Sequence, residues 1–270
     1  MPFSVDFLSD IHSEWWNGAV FDYAAHKKND IAIVDGDLRT NTDESIEELK
    51  KIAAIYKTVL FVDGNHEFRV GTPGYEYNFD FDGVEKKLRD GIATIPNVVY
   101  LRDQPFVKDG VAIIGRNGHW DYKIVEGLPE NEAIEEGRGI LKTDFNSAAS
   151  FSKLARRDYY ALRDLVIKFN QDPSIHTIVV VTHTVPRVEL LNFSDKASLA
   201  KQAQMGSSLM RHLPRYDANK KIKFWLFGHQ HAPKNQEING VLYHENPRGF
   251  IQDGVKNYEP STFTFSPPKS

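Results

Sequence analysis

The sequence has 270 residues and no cysteine. Disulfides are excluded, and so is every thiolate metal site; any metal bound here must take nitrogen and oxygen ligands. Positive charge is not in surplus either. Lysine and arginine total 33 against 37 aspartates and glutamates, a formal net charge of −4. No global basic field marks nucleic acid or an anionic membrane as the partner, although a local basic groove on an acidic protein leaves nucleic acid open. No apolar run approaches the length that spans a bilayer, and Met1-Pro2 leads into an apolar stretch without a basic leader or cleavage site. The expectation is a soluble, cytoplasmic protein with no membrane partner. There is no internal repeat and no low-complexity linker. Hydrophobic residues make up 41% of the chain, enough for a sizeable core, and the length permits one domain or two. Oligomeric state is not legible.

What is present is a series of short β-branched and aromatic runs at 5–8, 31–34, 59–62, 98–101, 111–114, 177–181, 224–227, 241–243 and 262–265. Each is mostly continuous and bounded by Gly, Asp, Asn or Pro, the pattern of strands buried in a sheet. Helical spacing appears over 43–56, with Thr42 or Asp43 as a cap and Ile46, Leu49, Ile52, Ala53 and Tyr56 on one face. A longer helix is expected over 151–169 and a third over 194–212. Strands alternating with helices indicate an α/β layered fold with a largely parallel sheet and a more antiparallel finish in the last 50 residues. The expected organisation is a single domain, 1–270, with insertions near 71–91 and 115–146.

The histidines and aspartates fall at the ends of these runs. Asp10 and His12 follow the first, in Leu8-Ser9-Asp10-Ile11-His12. Asp37 follows the second, in Val34-Asp35-Gly36-Asp37. Asn65 and His66 follow the third, in Asp63-Gly64-Asn65-His66-Glu67. His183 follows the run at 177–181, and Gly228-His229-Gln230-His231 follows 224–227. Singly, each fragment is ordinary turn chemistry or an incidental histidine. Jointly, five strand ends carry metal-ligand residue types, and in an α/β sheet the carboxyl ends of the strands are where ligands bind. Glycines 36, 64 and 228 let the chain approach a shared centre closely. Imidazoles mixed with hard oxygen donors suit Mn²⁺, Fe, Zn²⁺, Co²⁺ or Ni²⁺ rather than Cu(I).

This order of fragments, Asp-x-His, Gly-Asp, Gly-Asn-His-Glu, a later His and Gly-His-x-His, resembles the calcineurin-like metallophosphoesterases. The segments 115–122, Val181-Thr182-His183 and Asn246-Pro247-Arg248-Gly249-Phe250 look like small stand-alone bacterial and phage members, so the resemblance covers essentially the whole chain. It implies a calcineurin-like layered fold, central mixed β-sheets in a sandwich flanked by helices, with the site at strand C-terminal ends. It implies two divalent metals, with manganese favoured: one held by Asp10, His12, Asp37 and His231, the other by Asp37, Asn65, His183 and His229, with Asp37 bridging. The implied reaction is hydrolysis of a phosphomonoester or phosphodiester by a metal-bound hydroxide. In such centres the two metals, roughly 3.5–4 Å apart, also clamp the phosphoryl oxygens. His66 matches the family's general acid.

Two positions depart from the pattern. Thr40 stands where many members carry an aspartate that orients the acid histidine, so either another carboxylate, such as Glu67 or Asp63, supports His66, or its acidity is less tuned. Thr184 stands where many small relatives have a second histidine. Trp15, Trp16 and Trp120 could wall a leaving group, stack on a base, or simply pack the core. Arg69, Arg116, Arg187 and Arg248 adjoin strand ends and suit phosphate, Arg248 being the substrate-binding candidate of choice. The expected substrate is a phosphorylated small molecule or nucleotide. A protein phosphatase or nuclease of the same fold is the alternative, and a non-catalytic metal-binding scaffold stands behind both.

Overall fold

The computed structural model describes residues 2–70, 76–77, 80–141, 145–192, 198–255 and 257–266. In chain order the strands are β1 Phe3–Ser9, β2 Ile31–Asp35, β3 Thr58–Val62, β4 Arg69–Val70, β5 Glu76–Tyr77, β6 Val98–Tyr100, β7 Phe106–Lys108, β8 Val111–Arg116, β9 Thr177–Thr182, β10 Ile222–Phe227, β11 Lys234–Ile238, β12 Val241–Glu245 and β13 Ser261–Phe265. The α-helices are α1 Tyr23–His26, α2 Thr42–Ile55, α3 Phe81–Ile92, α4 Glu130–Leu141, α5 Phe145–Gln171 and α6 Leu199–Ala203.

Two mixed sheets form the centre. The first runs β13-β1-β2-β3-β6 and the second β11-β12-β10-β9-β8-β7; β4 and β5 make a separate ribbon. In the first, β1, β2, β3 and β6 are parallel and β13 closes the edge antiparallel. In the second, β12, β10, β9 and β8 are parallel between the antiparallel edges β11 and β7. Period-two alternation divides the strand residues between two cores. Val5, Phe7, Ile31, Ile33, Leu60 and Val62 from one sheet meet Val111, Ile113, Val179, Val181 and Leu226 from the other. The alternate residues Leu8, Val34, Phe61, Ile114, Val180, Trp225 and Phe227 face outward into the core that includes the helices. Because both faces of the central strands are covered, their sequences are continuous apolar runs.

All nine expected strands are present; the helices differ more. The cap of α2 is Asn41, whose side chain accepts from the Glu44 amide at 3.1 Å, one residue before the expected caps. The longest helix, α5, spans 27 residues, longer at both ends than expected. No continuous helix fills the expected span 194–212. Within it lie α6 and the start of a 3₁₀ segment, Met210–Tyr216. Between them Gly206 bridges to Val185, while the Ser207 and Ser208 hydroxyls donate to Asp121 at 3.2 and 2.7 Å, which holds the chain out of helix. Residues 194–197 of that span lie outside the described residues. The stretch expected as an insertion near 71–91 contains α3, whose Phe81, Val84, Leu88 and Ile92 are buried in the main core; 71–75 and 78–79 lie outside the described residues.

Candidate metal centre

Parallel pairing puts the carboxyl ends of β1, β2 and β3 side by side, and those of β9 and β10 beside each other in the second sheet. Backbone bonds lace the loops that leave them. The Asp10 amide donates to the Gly36 carbonyl, the His12 amide to Asp37, the Gly228 amide to His183, and the Gly249 amide to Asp10, all at 2.9–3.3 Å. The seven expected ligands thereby converge. Asp10, His12 and His231 bring ligand atoms within 4.8 Å of one another, and Asp37, His183 and His229 form a second such group. Asp37 joins the two: its Oδ2 lies 3.6 Å from His12 Nε2 and 3.3 Å from His183 Nε2. Asn65 Oδ1 lies 3.2 Å from the same His183 nitrogen.

Each outer imidazole is held from behind. His183 Nδ1 donates to the Asp35 carbonyl at 3.0 Å, and His229 Nε2 to the Gln204 carbonyl at 3.1 Å. His231 Nδ1 donates to Asp253 Oδ2 at 2.7 Å. These tethers leave the other ring nitrogen facing the centre, the arrangement that orients metal-binding histidines. Trp120, 1% exposed, is stacked between Phe151 and His229 and fixes the latter ring.

The backbone is unusual at the same positions. Asp10, His12, Asp37, His229 and His231 all have positive φ, between 46° and 78°. Aspartate and histidine tolerate this region better than most residues, yet each pays a conformational cost. Gly36 has φ +65°, and a Cβ there would run into the Gly64 backbone; one on Gly64 would run into the Asp37 carboxylate and amide. Glu67, fully buried, clamps this crossing by accepting from the amides of Asp37, Leu38 and Gly64 at 3.1, 2.9 and 2.7 Å.

Burial raises the Asp37 carboxyl, but His183, His66 and His12 around it outweigh that and hold it well below the usual carboxylate range. Burial lowers His183 and is overcome by Asp37, which pushes the imidazole well above its usual value. His231 goes the same way: burial is outweighed by Asp10 and Asp253, and it rises to about 10. Burial takes His12 down to about 3 and His229 to about 4. Burial also lifts Glu67, to about 7. The donor set is all nitrogen and oxygen and buried, and Asp10 Oδ2 has no hydrogen-bond partner among the described residues. Such a site fits divalent cations.

His66 sits at the inner edge, its Nε2 3.8 Å from Asp37 Oδ2 and its ring edge-on to His12. Burial drives its pKa well below the usual value, only partly countered by Asp37. The carboxylates expected behind it are elsewhere. Glu67 is committed to the three amides, and Asp63 to Arg102, Tyr100 and Asn117. Behind His66 stands Glu14, reached through the Thr40 hydroxyl. Thr184 is buried and donates to the Gly118 carbonyl at 2.6 Å, a tie between loops.

Arg248 is corrected most. It is 4% exposed, its guanidinium lies 4.1 Å from the Trp16 ring and 5.1 Å from Phe21, and it donates to the Ile11 carbonyl. It packs the loop joining the two sheets and does not line the cleft. Arg116 donates to the Leu101 and Gly115 carbonyls, and Arg187 pairs with Glu189. The cations that line the cleft are Arg69 and Lys201. This cleft, about 390 Å³, opens over the centre and is walled by Met205, Gln204, Gln252 and Phe250. The Phe250 ring lies 4.5 Å from both His12 and His231. Glu14, Asp253 and Lys201 gave no sequence signal, since each is a common charged residue far in sequence from what it serves. Phe250 stood within a recognised segment.

The sequence model of the calcineurin-like phosphoesterase family matches residues 3–233. A relative, the uncharacterized protein L509 of Acanthamoeba polyphaga mimivirus, is 22% identical over 275 aligned residues covering 95% of this chain and 94% of that protein. Among solved structures, the phosphopantetheinyl hydrolase of Mycobacterium tuberculosis has the same fold, with a TM-score of 0.77 at 17% identity, covering 96% of this chain and 95% of that one.

Proposed function

The chain belongs to the calcineurin-like phosphoesterase family and is a metallophosphoesterase, and from that premise we propose that it hydrolyses an ester of a phosphorylated small molecule or nucleotide at a centre of two divalent transition-metal ions, manganese favoured. On this reading Asp10, His12, Asp37 and His231 hold one ion, and Asp37, Asn65, His183 and His229 the other, within one catalytic domain, 1–270. The observation that carries it is the set of three imidazoles tethered from behind, each with its other ring nitrogen on the side of Asp10 or Asp37. Nothing in a purely structural cluster requires that polarity, whereas ligation does.

The ions supply Lewis acidity toward the phosphoryl oxygens and toward the attacking water. The rest is done by side chains of this protein. His66 is placed to give its Nε2 proton to the departing alkoxide. Burial holds its pKa down, and Asp37 and the negative charge of a bound phosphate oppose that shift when the ester is present. Arg69 and Lys201 draw the anionic substrate into the cleft. Phe250 covers two of the imidazoles and keeps bulk water from that side. A cleft of about 390 Å³ is in the range of small-molecule sites, which favours a small ester over a protein surface or a nucleic-acid strand.

The test is a substrate panel with added Mn²⁺: p-nitrophenyl phosphate, bis-p-nitrophenyl phosphate, cyclic nucleotides, a phosphopantetheine diester, single-stranded DNA and a phosphopeptide. Turnover of small esters that chelation abolishes and Mn²⁺ restores is expected. A metal-loaded protein active only on DNA or the phosphopeptide would overturn the substrate class.

A further inference from the structure

Behind His66 lies a contact that neither the ligand set nor the general acid accounts for. The ring presents Nε2 to the centre and Nδ1 to Thr40 Oγ1 at 3.4 Å. The Thr40 hydroxyl has one hydrogen, and it goes to Glu14 Oε1 at 2.6 Å. The oxygen it turns toward His66 is therefore an acceptor, and the ring must carry its proton on Nδ1. Nε2 is then the nitrogen whose proton comes and goes. A hydrogen bond of 3.4 Å is long, as such bonds are before substrate tightens the site.

Glu14 gains little from this placement by itself. It sits in the 3₁₀ turn Ser13–Trp15, where a glutamate can extend into water. Instead it turns inward, Thr40 is fully buried above it, and its Oε2 is buried without a hydrogen-bond partner among the described residues. Its carboxylate also lies close to both His12 and His66, with ligand atoms of all three within 4.8 Å. A desolvated carboxylate costs stability unless it serves a neighbour. We propose that Glu14 is a positioning residue for His66, acting through the Thr40 hydroxyl: it fixes the ring's tautomer and tilt, so that Nε2 faces the centre. This rests on the reading of His66 as the proton donor.

The test uses the Mn²⁺-loaded full chain and two esters, one with an alkyl leaving group and one with nitrophenol. A general acid is worth about 10²–10⁴-fold on a basic leaving group. Losing its support should remove part of that, about tenfold in kcat/KM for the alkyl ester in Glu14→Ala and Thr40→Val, and under about threefold for the nitrophenyl ester. Thr40→Ser keeps the hydroxyl and should stay near the parent. In a His66→Ala background, Glu14→Ala should cost nothing further. Metal content and melting temperature are measured alongside. Equal losses on both esters, a loss that persists without His66, or lost metal would overturn the proposal, the last making Glu14 a support for His12. If Glu14→Ala does not fold, Glu14→Gln, of the same shape but uncharged, and the Thr40 pair carry the same comparison. A His66→Ala enzyme with no leaving-group dependence would instead refute the proton-donor assignment itself.

Discussion

Arg102 offers the sharpest test of how the site is held from below. It is 7% exposed and enclosed by acids: its Nε and Nη2 reach Asp63 at 3.1 and 3.2 Å, and its Nη1 reaches Asp158 and Glu85, both at 3.2 Å. Asp63 opens the turn that carries Gly64, Asn65 and His66, and its carbonyl accepts from Asn117 Nδ2 at 2.9 Å. Arg102→Met keeps the volume and removes the cation shared by the three acids, leaving Asp63 to the Tyr100 hydroxyl and the Asn117 amide and Asp158 to His119 and the Gly118 amide. Breaking such a group costs about 3–5 kcal/mol, a large share of the roughly 5–15 kcal/mol that a domain has. The pH dependence has a definite sign. Burial raises Asp158 and Asp63, but Arg102 outweighs it and holds both below the usual value. Their contribution is therefore present above the unfolded value near 3.8 and is lost only as pH falls through the lower folded value. Between pH 7.5 and 5 it is constant. Without Arg102 burial prevails, the folded-state values rise, and protonation as pH falls relieves the penalty. Urea unfolding followed by tryptophan fluorescence, in chelator so that metal linkage is absent, should show a variant deficit of about 3–5 kcal/mol at pH 7.5 that narrows at pH 5 with an unchanged m-value. A deficit below about 1 kcal/mol, or one independent of pH, would refute this account of the network.

Asp37→Ala should lower metal content at both sites, because its carboxylate is the one that touches both groups; elemental analysis showing one site still full would contradict the bridge. Asp253→Asn keeps the shape but weakens the hold on His231, so metal affinity should fall roughly 10–100-fold with the fold intact, read by chelator competition. Gly64→Ala forces a methyl into Asp37 and should cost about 1–3 kcal/mol together with metal binding, since the crossing with Gly36 leaves no room to relax. A stable, metal-replete Gly64→Ala protein would show that the loops give way more easily than this.

The strands were legible where both faces are buried. Val111–Arg116 and Thr177–Thr182 read as unbroken apolar runs because the two cores take alternate residues. The edge strands Phe106–Lys108 and Lys234–Ile238 were not: the first is three residues long and mostly exposed, and the second is polar and exposed, so neither leaves a periodicity to read. Helix α3 was hidden by Gly83, Gly91 and its charges, although Phe81, Val84, Leu88 and Ile92 are spaced as one face. The candidate ligands were legible because histidine and aspartate at five strand ends is a rare coincidence. Their tethers were not. The Asp35 and Gln204 carbonyls are backbone atoms that any residue would supply, and Asp253 is 22 residues from the histidine it holds. Arg248 misled for a different reason. A recognisable segment can be kept by packing as well as by substrate, and here the guanidinium fills the space between Trp16 and Phe21.

The position of the strain explains why the two-sheet frame is needed. Five candidate ligands in left-handed backbone, at about 1 kcal/mol each, amount to roughly 5 kcal/mol, comparable to the whole stability of a modest domain. A loop on a single sheet edge would relax. Here each of these residues is pinned by a partner from another strand's loop: Asp10 by the Gly36 carbonyl and the Gly249 amide, His12 by the Asp37 carbonyl, Asp37 by Glu67, and His229 by the Asp10 carboxylate at 3.0 Å. His231 is pinned through its side chain by Asp253. The partners come from both sheets, so releasing the strain at one ligand requires moving strands whose two faces are packed in separate cores. The centre is thus held by loops that the sandwich anchors, and the geometry of each of these ligands depends on a residue from another strand's loop.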